Sequence, residues 1–208
     1  MKKRGLAVIL LICLMVAMTA CGFGSSKYAK GTLKDTSFES EWIGVRFDAP
    51  EGFIVATQEE LDEFLDIGSE MLEEVYADDG KNVIDYSELT TVYELLTYQV
   101  MEDGTGNPNL TLAVERTALT VDKYMDALKK QVNTIYNGTT LSWEETEKVS
   151  VGSLECDKYT VCVDYGYAMM YQSYYMAKKD NRMIYFILTY SDDQSEAATA
   201  LMNAFKAY

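Results

Sequence analysis

The sequence predicts an α+β fold, a mainly antiparallel sheet of about six or seven strands with helices on both faces, in one domain over residues 37–208. Three observations predict it. Met183 to Tyr190 puts Tyr185, Ile187 and Thr189 on one face and Ile184, Phe186, Leu188 and Tyr190 on the other, and a strand apolar on both faces belongs inside a sheet covered on both sides. Leu154 to Tyr165 and Met169 to Lys178 precede it, broken only at Gly166 and Asp180-Asn181, which reads as an antiparallel meander. Apolar stripes at helical spacing, each behind a capping residue, recur along the chain and supply the covering layers.

The elements follow in order. Gly22 to Lys34 is rich in Gly, Ser and Lys, so residues 21–36 are expected to be a flexible tether. Trp42 to Asp48 alternates, with Ile43, Val45 and Phe47 on one face, and predicts a strand ended by Pro50 and Gly52. Phe53 to Val55 is a short extended piece. Thr57 and Glu60 have capping-box spacing, and Leu61, Phe64, Leu65, Met71, Leu72, Val75 and Tyr76 form the stripe of a helix that Asp78-Asp79-Gly80 ends. Tyr93 to Met101 and Leu110 to Arg116 predict a hairpin across a Gly- and Asn-rich turn. Thr120 caps a second helix with Tyr124, Met125, Leu128 and Val132 inward, stopped at Asn137-Gly138. Trp143 to Val151, charged on both faces, predicts an edge strand. After the meander, Ser191 or Asp192 caps a last helix with Ala198, Leu201, Met202 and Phe205 inward.

The N-terminus carries an address. Lys2, Lys3 and Arg4 precede an apolar run from Leu6 to Met18, too short for the about 20 residues of a membrane span and suited to a secretory signal. Met18-Thr19-Ala20-Cys21 resembles the lipobox of bacterial lipoproteins. The resemblance implies removal of residues 1–20, a diacylglycerol on the Cys21 sulfur, and an extracytoplasmic protein anchored to the cell membrane through lipidated Cys21. Two or more acyl chains hold a protein on a bilayer where one chain gives marginal binding.

Composition narrows the function. Cleavage before Cys21 takes the basic count from 18 to 15 against 33 acidic residues, a net of −18, which repels phosphate and argues against a nucleic-acid partner. There is no histidine, which removes His-dependent triads, most zinc sites and the commonest general base. Cys13 leaves with the signal and Cys21 takes lipid, leaving Cys156 and Cys162. On one strand they stand roughly 20 Å apart, beyond disulfide reach, so they are expected to be free thiols or buried.

Gly44 to Phe53, with its Pro50-x-Gly52-Phe53 turn, Tyr185 to Tyr190, and Ala204-Phe205 resemble the early strand, last strand and closing helix of the PsbP-like superfamily. The resemblance covers about residues 37–208 and implies an α/β/α sandwich. It carries no activity with it, since fold and function are separable.

No catalytic, cofactor or metal residues emerge. Asp78-Asp79-Gly80 and Asp192-Asp193 lack the alternating oxygen ligands of a calcium loop, and Gly104-x-Gly106 is too little for a phosphate cradle. The sixteen tyrosines stand out, six of them crowding Tyr159 to Tyr175. They are good strand formers that pack beneath helices, and exposed ones stack on sugars or grip proteins. Trp143, among acids on an edge strand, is expected to be an exposed aromatic for partner contact. The reading is a membrane-anchored, non-catalytic binding or accessory module for a protein or envelope component. The alternatives are a hydrolase of envelope glycans using paired carboxylates and a small-ligand carrier.

Overall fold

Period-two alternation builds two antiparallel sheets here, not one. The computed structural model describes residues 28–62, 91–100 and 107–208. The larger sheet contains β4 (Ile54–Val55), β5 (Thr91–Tyr98), β6 (Asn109–Arg116), β7 (Thr140–Trp143), β8 (Glu147–Val151), β9 (Leu154–Asp164), β10 (Met169–Lys179) and β11 (Arg182–Ser191). Its order is β4-β5-β6-β11-β10-β9-β7, with β8 also on the β9 edge. The smaller sheet joins β1 (Thr32–Lys34), β2 (Ser37–Ser40), β3 (Val45–Asp48) and β12 (Phe205–Ala207) in the order β1-β2-β3-β12. Two helices lie wholly within the described residues, α1 (Val121–Ile135) and α2 (Ser195–Asn203). The rest of the helix expected after Thr57 lies outside the described residues. Its first turn is present, with Glu60 accepting from the Thr57 amide at 2.8 Å and Leu61 fully buried.

β11 lies between β6 and β10, as its two apolar faces require. Tyr185 and Ile187 join the core under α1, with Tyr124, Met125, Leu128 and Val132 of that helix. Ile184, Phe186 and Leu188 join a second core with Phe38, Val45 and Phe47 of the small sheet and Ala198 and Leu201 of α2. The single sheet of the sequence reading therefore gives way to a large sheet faced on this side by a small sheet and α2. Width explains it. Seven strand positions span about 29 Å, whereas a helix of nine residues is about 14 Å long and 10 Å wide.

Four boundaries differ from the expectations. The strand expected from Trp42 begins at Val45, because residues 41–44 turn and Gly44 takes φ +92°. The edge strand expected over 143–151 is two strands, β7 on residues 161–164 of β9 and β8 on residues 154–158. Phe205 is buried as expected, but in β12 against Phe47, not on the helix. Residues 28–36, read by composition as tether, are folded: β1 pairs with β2, and Tyr28 packs edge-on against Trp42 at 5.1 Å.

Candidate functional site

The face that α2 and the small sheet cover is left partly open. α2 sits over β11 while β8 occupies the far edge, and between them lies a cleft of about 290 Å³. Its wall and floor are set by alternation. Tyr175 of β10 is the cross-strand partner of Lys158 on β9, and Tyr190 of β11 is the partner of Tyr171 on β10. Tyr171 and Tyr190 stack at 5.4 Å with planes 17° apart. Tyr190, Tyr175 and Lys158 line the cleft from the sheet, Ser150 from β8, and Thr199 and Asn203 from α2. Lys158 Nζ donates to Glu147 at 3.2 Å, so the ammonium in the wall already has a counter-ion. Among the described residues no carboxylate lines the cleft. Burial, then the neighbouring Tyr190 and Glu147, pushes the Tyr175 phenol above its ordinary value, which keeps it a neutral donor.

Two carboxylates are buried elsewhere. Glu94 is the bulged residue of β5, where the register with β6 shifts between Tyr93 and Leu95, and it is fully buried. It accepts from the Tyr28 hydroxyl and from the Gly31 amide at 2.8 Å, while the Arg182 guanidinium lies 4.2 Å over the Tyr28 ring. Burial raises its pKa, against the opposing pull of those hydrogen bonds and of Lys30. Glu115 accepts from Tyr124 of α1 at 2.5 Å, and burial pushes its pKa up to about 7. Tyr28 packs against the core of the small sheet and Tyr124 belongs to the core under α1. The two acids therefore serve opposite faces of the sheet and cannot flank one substrate bond as paired glycosidase carboxylates do at about 5 to 10 Å.

Trp143 is half-buried, not the exposed aromatic expected. It stacks on Tyr174 at 6.3 Å, and Lys129 of α1 lies 5.1 Å over its ring. Its position on an edge strand is as read, but the helix above reaches over it. Cys156 and Cys162 are free and buried, and burial pushes the Cys156 thiol up to about 12. Cys21 lies outside the described residues. Among the described residues no helix is long and apolar enough to cross a membrane, and no group of three His, Cys, Asp or Glu residues could hold a metal ion.

Tyrosine crowding pointed to Tyr171 and Tyr175 but not to the cleft. Tyr159 and Tyr174 of the same group are core residues, and Tyr167 stands at a hairpin tip, 88% exposed. Lys158, Tyr190, Thr199 and Asn203 were missed. Strand parity would have put Tyr171 and Tyr175 on one face, but only the β10–β11 register brings Tyr190 beside them.

Neither a protein-family model nor a characterised protein sequence matches the chain. Solved structures similar to it include a cyanobacterial and a mycobacterial protein. The cyanobacterial PsbP (CyanoP) from Synechocystis sp. PCC 6803 is 12% identical over 90% of this chain and 98% of its own, with a TM-score of 0.45. LpqN, involved in cell envelope biogenesis of Mycobacterium tuberculosis, is 7% identical over 78% of this chain and 82% of its own, with a TM-score of 0.44. At these identities the likeness concerns the fold and assigns no residue a role.

Proposed function

We propose that this chain is an extracytoplasmic lipoprotein, anchored through Cys21, that acts as a non-catalytic binding or accessory module for an envelope component. The observation that carries the binding role is the cleft between α2 and β8, which offers aromatic and hydroxyl groups and, among the described residues, no carboxylate. Glu94 and Glu115, each bound to a tyrosine of a different core, Tyr28 and Tyr124, argue against the alternative of a carboxylate-dependent hydrolase. The anchor rests on the resemblance of residues 18–21 to a lipobox. Tyr28 is held by Glu94 and Arg182, so seven residues of chain set the reach from Cys21, about 25 Å when extended. That length keeps the domain close to the bilayer.

Metabolic labelling with an alkynyl fatty acid tests the anchor. The wild-type chain should label and fractionate with membranes, and Cys21→Ala should do neither. A Cys21→Ala protein that still takes up the label would refute this attachment. A photo-crosslinking residue at position 203 tests the accessory role, with an adduct to an envelope component expected in the membrane fraction and none from the same residue at position 167.

A further inference from the structure

The occupant of the cleft can be narrowed by its chemistry. The lining sets apolar side chains, Leu188, Ala198 and Met202, beside an exposed polar rim of Ser150, Thr199 and Asn203, which suits a ligand with both apolar and hydroxyl surface better than a wholly aliphatic chain. An anion fits poorly too. Among the described residues Lys158 is the one cationic side chain in the lining, and it is paired with Glu147, in a chain of net charge −15. What remains is an uncharged molecule with an apolar face and hydroxyls at its rim. Tyr190 is built to receive such a face. Tyr171 stacks against its ring, and Tyr190, unlike Tyr171, lines the cleft. The stack locks the ring in place, so little rotamer entropy is lost on binding.

We propose that the cleft binds one or two rings of an uncharged glycan, with a pyranose face on Tyr190 and its hydroxyls hydrogen-bonded by Tyr175, Thr199 and Asn203. The volume of about 290 Å³ falls just below the about 300 to 1,000 Å³ typical of ligand sites, which limits the occupant to that size. This rests on the binding role proposed above and gives it a ligand class.

The test is saturation-transfer NMR on the lipidated full chain in nanodiscs, titrated with N,N′-diacetylchitobiose as the neutral probe and N-acetylmuramic acid as the acidic one. The neutral sugar should bind, and Tyr190→Ala should weaken it about tenfold, the order expected for a lost aromatic stack. Tyr190→Phe, which keeps the ring, should stay within about threefold, and its fold is safe because only the hydroxyl is removed. Asn203→Ala should weaken binding several-fold, and Tyr167→Ala at the distant hairpin tip should leave it unchanged. Absence of neutral-sugar binding, preference for the acidic sugar, or binding indifferent to both Tyr190→Ala and Asn203→Ala would overturn the proposal. If it falls while the position-203 crosslink forms to an envelope protein, the ligand class is wrong and the accessory role stands. Loss of both removes both.

Discussion

At the scale of single residues, burial of charge dominates. Glu115 is 3% exposed, and burial pushes its pKa up to about 7 from an ordinary 4.5, so between these values the folded state holds a proton the unfolded chain has released. The stability linked to this group is fully present below pH 4.5 and is lost as pH rises to about 7, a change of about 3 kcal/mol across that window. Glu115→Gln keeps an acceptor for Tyr124 and cannot ionise. Urea denaturation at pH 5 and pH 8 should show a smaller fall in stability for Glu115→Gln than for the wild type. An identical fall in both would mean that Glu115 does not carry it. Nothing in the sequence separates Glu94 and Glu115 from the solvated acids around them, because burial depends on what packs above a strand: β1 and Tyr28 in one case, α1 in the other.

At the scale of elements, the last strand matters more than its three residues suggest. Phe205 lies 4.8 Å from Phe47 and 5.0 Å from Phe186, joining the small sheet to the centre of the large one. Removing the ring leaves a cavity between two sheets that cannot both close over it. Phe205→Ala should therefore cost about 3 to 5 kcal/mol, read from the shift in the urea midpoint at unchanged slope. A loss below 1 kcal/mol would mean that β12 is a dispensable edge. Local signals read the rest well: the capping box at Thr57 and the Thr120 cap accepting from Lys123 occur as spaced, while Ser191, expected with Asp192 as a cap of the last helix, caps a short 3-10 turn, Asp192–Gln194, that leads into α2. The split between β7 and β8 was not legible, because a run charged on both faces carries no period to mark a break, and only the pairing with β9 separates residues 140–143 from 147–151.

At the scale of the whole molecule, two cores share one sheet. Every residue of β11 from Ile184 to Leu188 belongs to one core or the other in alternation, so neither can melt while its partner persists. Trp42 packs against the core of the small sheet and Trp143 against the core under α1, which supplies a reporter on each side. Single-tryptophan variants, Trp42→Phe and Trp143→Phe, should give coincident urea transitions by fluorescence once each is corrected for its own stability by circular dichroism. Separated midpoints would show the small sheet unfolding on its own. The sequence by itself determined the type and order of most strands, the caps, and the central place of the strand ending at Tyr190, because periodicity and capping are local. The second sheet, the opposite burial of Glu94 and Glu115, and the cleft that joins Tyr190 to Asn203 were decided only in the tertiary structure. Each of these comes from segments far apart in the chain, and no local pattern encodes which surfaces will meet.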